Sequence, residues 1–177
     1  MNIRHFGNNA PTIASTAYID PAAIVIGDVS IGEHASVWPM VVVRGDVNRI
    51  HIGARTNIQD GAVVHCAHDG PYTPGGFTTH IGDHVTVGHN AVIHACTIGD
   101  SSLVGMSCTV MDGAVIESRV MLGAGSLVPP GRRLEGGHLW VGAPARRVRS
   151  LTDAEIEALA YSAEHYVNLK NRYVEKR

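Results

Sequence analysis

Histidine is the residue type that this sequence carries in excess, with 11 copies in 177 residues. Three of them, His65, His89 and His94, lie close together in the central part of the chain. Neutral imidazole is a preferred ligand of Zn²⁺, and three imidazoles with one open position are typical of a catalytic zinc site. Such a site lowers the pKa of a bound water towards neutrality. The three histidines therefore predict a metal centre, provided that the fold brings them together.

The elements that must position these histidines follow a period of six. Aliphatic residues recur at six-residue steps, interrupted by insertions after Val43 and Val64 and by one dropped residue after Ile93: Ile19, Val25, Ile31, Val37, Val43, Ile52, Ile58, Val64, Ile81, Val87, Ile93, Ile98, Val104, Val110, Ile116, Leu122 and Val128. A helix, with a period of about 3.6, would lose this register. The pattern is typical of a parallel β-helix with three short strands per coil. We expect an all-β solenoid shaped as a triangular prism, and its similarity to known hexapeptide solenoids implies a left-handed coil.

Three segments are expected along the chain. Residues 1–130 are predicted to form the left-handed parallel β-helix, with a loop insertion over 66–80. Residues 131–150 are expected to be a turn-rich connector with a short strand at Leu139–Val141. Residues 151–177 are predicted to form a C-terminal α-helix, because Thr152 and Glu155 have the spacing of a capping box. An apolar stripe follows them at helical spacing, so we expect the helix to pack on the β-helix or on a neighbouring subunit.

Residues one coil apart in a β-helix lie above each other, about 4.8 Å apart. When the inserted residues are subtracted, Arg44, His65 and His94 fall in one outward-facing ladder, one coil apart, and Met111 follows above them. His89 lies five residues before His94, so we expect it on the preceding face, near a corner. It would hardly reach a metal on the other two histidines within one chain, but it could reach one easily across a subunit interface. A metal shared between subunits of a three-sided prism favours a homotrimer.

Composition excludes several classes of function. The chain has 14 Lys and Arg against 16 Asp and Glu, which argues against a nucleic-acid partner. No apolar run is long enough for a membrane span, and the N-terminus lacks the apolar core of a secretory signal. Cys66, Cys96 and Cys108 are odd in number and form no CxxC pair, which favours reduced core thiols and a cytoplasmic protein.

Four segments together resemble the γ-class carbonic anhydrases, and more closely their bacterial γ-carbonic-anhydrase-like hexapeptide subgroup. They are VVVRGDV, NIQDGAVVHC, TVGHNAVIHACTIG and the closing GAGSLVPPG with VGAPAR. The resemblance extends from about residue 10 to the C-terminal helix. The arginine and histidine motifs carry it, because the hexapeptide repeat alone is common to many acyltransferases.

The resemblance implies a function and a set of site residues. It implies reversible hydration of CO₂ to bicarbonate by a hydroxide on a metal, which is Zn²⁺ or, in some members, Fe²⁺ or Co²⁺. His65, His89 and His94 match the metal ligands, two from one subunit and His89 from its neighbour. Five further residues match the family's catalytic residues. Arg44 matches an arginine that pairs with a carboxylate across the interface and lies near bicarbonate, and Asp46 and Asp60 match its acidic partners. Asn57 and Gln59 match two amides that orient water or substrate.

One feature departs from the family pattern. The loop 66–80 contains no glutamate in the position of the family's proton shuttle. His68 and His80 in that loop are the alternative proton relays, because an imidazole titrates near neutral pH.

Two other functions stay open. The scaffold could carry an acyltransferase or a metal-assisted acyl-CoA thioesterase. An acyltransferase needs a histidine base but no stacked second imidazole, whereas a thioesterase could use the same three ligands. The protein could instead be a non-catalytic metal-binding trimer, which an open fourth coordination position would argue against.

Overall fold

The computed structural model describes residues 2–175 and shows a left-handed parallel β-helix followed by one α-helix. The elements, in chain order, are β1 (Ile3–Arg4), β2 (Thr12–Ile13), β3 (Tyr18–Ile19), β4 (Ile24–Ile31), β5 (Ser36–Val37), β6 (Val42–Ile52), β7 (Asn57–Ile58), β8 (Val63–His65), β9 (Thr79–Ile81), β10 (Thr86–Val87), β11 (Val92–His94), β12 (Thr97–Ile98), β13 (Leu103–Val104), β14 (Thr109–Val110), β15 (Val115–Ile116), β16 (Met121–Leu122), β17 (Leu127–Val128), β18 (Arg133–Leu134), β19 (His138–Val141), β20 (Arg146–Ser150) and α1 (Asp153–Val174). The six-residue period therefore predicted the fold class correctly.

The strands form three faces of a prism. The first face is the sheet β3-β5-β7-β10-β13-β16-β19, with β20 added antiparallel to β19. The second face carries β8, β11, β14 and β17 beside the first halves of β4 and β6, and the third carries β9, β12, β15 and β18 beside their second halves. The long strands β4 and β6 thus join the second and third faces into one 12-stranded sheet.

The core is the set of aliphatic ladders that the period predicted. Ile58, Val87 and Val104 on the first face are fully buried, as are Val64 and Ile93 on the second. Each such side chain contributes about 1.5–3 kcal/mol relative to an exposed one. Because inward and outward residues alternate along a strand, this core determines which side chains face outward, including His65 and His94.

The corner between the second and third faces has a special geometry at β4 and β6. Three extra residues lie between Val43 and Ile52, and β6 crosses the corner without a break. Gly27 has φ +81°, and a Cβ there would collide with the carbonyl oxygen of Gly45. Glycine is therefore required where the two strands bend together, and this bend carries Asp46 beside the second face.

The solenoid continues beyond residue 130, so the expected connector over 131–150 is corrected. Strand β18 pairs with β15 and β19 pairs with β16, both in parallel register. Leu134 and Trp140 take the inward positions above Ile116 and Leu122. Charged residues and glycines between Pro130 and His138 hide the period, but these two side chains still extend the core.

Helix α1 packs against the first face of its own chain. The Thr152 hydroxyl accepts a hydrogen bond from the Glu155 N–H, and the Glu155 side chain accepts from the Thr152 N–H, as the capping box predicted. Leu159, Ala163 and Val167 are buried beneath the helix. The helix occupies most of the predicted 151–177, although residues 176 and 177 lie outside the described part of the chain. Over residues 2–175 no helix combines the length and apolarity needed to cross a membrane.

Candidate functional site

The predicted ladder of outward side chains is present on the second face. Arg44 on β6 pairs in register with His65 on β8, and His65 pairs with His94 on β11. The inward neighbours Val43, Val64 and Ile93 are fully buried, which turns the ladder residues outward. The stacking calculated from the insertions is therefore confirmed.

The imidazoles of His65 and His94 converge. His65 Nδ1 lies 3.1 Å from His94 Nε2, and the ring centroids are 5.2 Å apart. The remaining nitrogen of each ring faces a carboxylate, with His65 Nε2 3.0 Å from Asp46 Oδ1 and His94 Nδ1 2.6 Å from Asp112 Oδ1. Histidines that bind metals usually donate their second N–H to such a group, which fixes the tautomer and the ring orientation. The two facing nitrogens could bind one ion.

Asp46 connects the arginine to this pair. Arg44 Nη1 donates to Asp46 Oδ2 at 2.6 Å, while Asp46 Oδ1 faces His65. Burial raises the pKa of Asp46, but the hydrogen bonds from His65 and Arg44, together with the Arg44 charge, outweigh it, so the pKa lies below its ordinary value. Asp46 is therefore held as a carboxylate within its own chain, with the Arg44 guanidinium half-exposed beside it.

His89 lies at the corner between the first and second faces. It follows β10, and His89 Nδ1 is 2.9 Å from Asp60 Oδ2, where Asp60 is its neighbour one coil below. Both side chains are about half exposed, and among residues 2–175 no side chain is paired with His89 Nε2. Like His65 and His94, His89 thus has one nitrogen on a carboxylate.

The two predicted amides occupy a different setting from the histidine pair. Asn57 and Gln59 lie on the first face, at and just after β7, and both are buried. Gln59 Nε2 donates to Asn57 Oδ1 at 3.0 Å. Gln59 precedes Asp60, so the amide pair adjoins the His89 corner rather than the His65–His94 pair.

The two predicted relay histidines lie on different elements. His80 lies on the third face and stacks on His51, with centroids 4.8 Å apart and an interplanar angle of 14°. Burial and the His80 charge lower the pKa of His51. His68 is exposed in the loop between β8 and β9. The structure therefore does not bring His80 onto the face that carries His65 and His94.

Within residues 2–175 of one chain, no group of three or more His, Cys, Asp or Glu side chains is arranged to hold a metal ion. His89 lies at the corner after β10, as we expected from its spacing, and its role as a ligand across an interface stays a prediction. A single chain thus presents two converging imidazoles at one place and one imidazole at another.

The cysteines are free, buried thiols, as expected for core residues. Cys66 follows His65, but its Sγ points to the carbonyl oxygen of Asn48 at 3.2 Å. Burial raises the pKa of the Cys96 thiol to about 12. None of these thiols is oriented to serve as a fourth ligand.

Asp112 is the site residue that sequence reasoning missed. It follows Met111, the residue predicted to lie above His94, and reaches back to His94 Nδ1. The sequence signal that could have identified Asp112 is its position directly after Met111, at the top of the ladder.

Comparison with known proteins identifies the family. The chain is 47% identical over 174 residues to Protein YrdA of Escherichia coli strain K12, which covers 98% of this chain and 95% of that protein. It is also 47% identical over 165 residues to Gamma carbonic anhydrase 2, mitochondrial, of Arabidopsis thaliana, which covers 92% of this chain but only 58% of the plant protein. The chain belongs to the γ-carbonic-anhydrase-like family of hexapeptide-repeat proteins. No family model matches the chain.

Solved structures confirm the fold of this family member. A hexapeptide transferase family protein from Anaplasma phagocytophilum superimposes with a TM-score of 0.88 at 44% identity, covering 97% of both chains. A putative acetyltransferase from Bacillus cereus superimposes with a TM-score of 0.90 at 35% identity, covering 99% of this chain and 98% of the other. The names of these relatives thus divide between carbonic anhydrase and acyl transfer.

Proposed function

We propose that this protein is a metal-dependent carbonic anhydrase, which interconverts CO₂ and bicarbonate at sites shared between the subunits of a homotrimer. One observation carries the proposal. His65 and His94 aim two nitrogens at one point, 3.1 Å apart, and each is held from behind by a carboxylate. The relatives named γ carbonic anhydrase support the same activity.

The residues fit a tetrahedral metal. With Zn–N distances of about 2.0–2.1 Å, two ligand nitrogens lie roughly 3.3–3.4 Å apart, close to the distance in the His65–His94 pair. His89 of a neighbouring subunit would supply the third nitrogen. A Zn²⁺, Fe²⁺ or Co²⁺ ion held by three neutral imidazoles would keep an open position and supply an acidic water at neutral pH.

Arg44, the charged residue of the ladder, provides a positive charge for the anionic product. Arg44 lies one coil from His65, and its half-exposed guanidinium can bind an oxygen of bicarbonate while Asp46 fixes its orientation. Asp46 also accepts the second N–H of His65 and so keeps Nδ1 unprotonated. Arg44 thus binds the developing anion, and Asp46 orients both side chains.

The surface around the site supports the trimer. Exposed apolar side chains adjoin both parts of the site, with Met40 and Met106 at the His89 corner and Val63, Val92 and Met111 beside the histidine pair. Apolar side chains grouped in this way are typical of a surface that another chain covers. A threefold arrangement would bring the corner of one chain to the second face of the next.

Hydration of CO₂ releases a proton, which must pass from the site to the solvent. Because His80 stacks on His51 at the third face, His68 is the remaining loop histidine near the end of β8. Its exposure allows exchange with buffer, and an imidazole suits proton transfer at neutral pH. We assign the relay to His68 within this proposal.

Stopped-flow CO₂ hydration tests the function. Wild-type protein and the His89→Ala variant are each loaded with Zn²⁺ or, without oxygen, with Fe²⁺, and metal content and subunit number are measured beside the rate. We expect hydration by the wild type and a loss of about a thousandfold or more in the variant, because a ligand of the catalytic ion is removed. The variant should remain trimeric.

The control reaction addresses the acyl-transfer alternative, which rests on the names of the two structural relatives. The same samples are assayed with acyl-CoA. Absence of CO₂ hydration by a fully metallated trimer, with turnover of acyl-CoA, would replace the carbonic anhydrase proposal with a thioester activity.

A further inference from the structure

A chain of buried hydrogen bonds connects the C-terminal helix to Gln59. Ser162 Oγ on α1 lies 3.0 Å from Thr86 Oγ1 on β10. Asn57 Nδ2 donates to Thr86 Oγ1 at 3.0 Å, and Gln59 Nε2 donates to Asn57 Oδ1 at 3.0 Å. Thr86, Asn57 and Gln59 are all buried, so water does not compete freely for these bonds.

A backbone carbonyl shows in which direction the hydrogen bonds of this chain run. Asn57 Nδ2 also faces the carbonyl oxygen of Val85 at 3.4 Å, and a carbonyl can only accept a hydrogen bond. Asn57 therefore turns its NH₂ towards β10 and its oxygen towards Gln59. Gln59 must then donate through Nε2, and its Oε1 has no hydrogen-bond partner among the described residues of the chain.

We propose that Ser162 and Thr86 are positioning residues, which keep Gln59 turned so that its acceptor oxygen faces the His89 corner. The inference deepens the proposed function and rests on it for the identity of the reaction. An acceptor oxygen at this edge binds the O–H of a nucleophilic water and repels the anionic oxygens of bicarbonate. Helix α1 thereby acts on the site without contacting the substrate.

The helix has a second attachment that does not enter this chain of hydrogen bonds. Arg55 Nη1 pairs with Glu164 Oε2 at 2.7 Å, and both side chains are partly exposed. Removing that pair changes the docking of the same helix, whereas removing the Thr86 hydroxyl changes the partner of Asn57. Variants of the two attachments therefore distinguish the effect of a loosened helix from the effect of a misoriented Gln59 amide.

Side-chain NMR and kinetics test the proposal on the metallated full-length protein. The variants are Thr86→Val, which removes the hydroxyl, Ser162→Ala, and Thr86→Ser as the conservative rescue, with Glu164→Gln as the docking control. The first readout is the hydrogen-exchange rate of the Gln59 Nε2 protons, assigned by their loss in Gln59→Ala. The second readout is kcat and KM for CO₂ hydration.

We expect Thr86→Val and Ser162→Ala to raise the exchange rate about tenfold and to lower kcat about tenfold with little change in KM, as for other residues that support a site residue. Thr86→Ser should restore both readouts, and Glu164→Gln should leave both unchanged. Unaltered exchange in Thr86→Val and Ser162→Ala would overturn the proposal, as would an equal effect of Glu164→Gln. If the wild type does not hydrate CO₂, the exchange rates still decide the positioning role, so the two proposals fail separately.

Discussion

The imidazoles of His65 and His94 are each oriented by the carboxylate of a single residue. Asp112 lies 2.6 Å from His94 Nδ1, and Asp46 lies 3.0 Å from His65 Nε2. Such carboxylates raise the basicity of a ligand and preorient it. The affinity for metal should therefore depend on residues that do not themselves bind the ion.

Replacing Asp112 with Asn tests this dependence. We expect Asp112→Asn to weaken Zn²⁺ binding by about 10–100-fold, because the neutral amide lacks the negative charge that raises the basicity of His94 and can also turn its NH₂ towards Nδ1. Competition with a chromophoric chelator measures the affinity. Asp28→Asn, which disrupts only an exposed pair with Arg49, is the matched control. Equal affinities for the wild type and Asp112→Asn would show that Asp112 does not support the ligand.

The sequence predicted the residues of the ladder but not all of their partners. Insertions can be counted, so the register of Arg44, His65 and His94 followed from aliphatic spacing alone. The partner of His94 depends on how Asp112 turns back at a corner, which spacing does not encode. The direction of the Asn57–Gln59 amides likewise depends on the carbonyl of Val85, a contact between coils.

At the scale of elements, the capping box joins α1 to the strand before it. Arg149 donates both Nη1 and Nη2 to the Glu155 carboxylate, and the Thr152 N–H donates to the same group. These hydrogen bonds, led by that from Arg149, lower the pKa of Glu155 from 4.5 to about 2. A carboxylate with a lowered folded-state pKa contributes stability that is present above its unfolded value and is lost as the pH falls.

The Glu155→Gln variant should reveal this pH dependence. We expect its melting temperature to lie below that of the wild type above pH 4.5, and the difference to shrink as the pH falls and to vanish near pH 2. Thermal melts followed by circular dichroism across that range provide the measurement. Glu157→Gln, an exposed position on the same helix, serves as the control. A difference that stays constant with pH would contradict the assignment.

The elements were predictable wherever the period was unbroken. Between Ile19 and Val128 each inward aliphatic residue predicted a strand, because the core requires that side chain at that place. Beyond Pro129 the period rests on Leu134 and Trp140 alone, separated by glycines and charged residues. The strand expected at Leu139–Val141 is present as β19, but its place in the solenoid and strand β18 were missed, although parallel pairing with β15 and β16 continues there.

At the scale of the whole molecule, the proposed site requires assembly. The His89 corner carries Met106, which is 56% exposed, and the proposed trimer covers it. A charge at this position would have to be buried without a partner. We expect Met106→Lys to give monomers by light scattering and to abolish CO₂ hydration, although all three histidines remain.

The matched control is Val148→Lys. Val148 is 59% exposed on β20, away from both parts of the site. This variant should assemble and retain its activity. A trimeric and active Met106→Lys protein would place the interface elsewhere on the molecule.

The central claim, a site shared between two subunits, is tested most directly by mixing two inactive chains. One chain carries His65→Ala and the other His89→Ala, and the two are refolded together in equal amounts with Zn²⁺. In a cyclic trimer formed at random, about one interface in four combines an intact His65–His94 pair with an intact His89. We predict that each variant alone is inactive and that the mixture recovers about a quarter of the wild-type CO₂ hydration. No recovery in mixed trimers, verified by two affinity tags, would contradict a shared site.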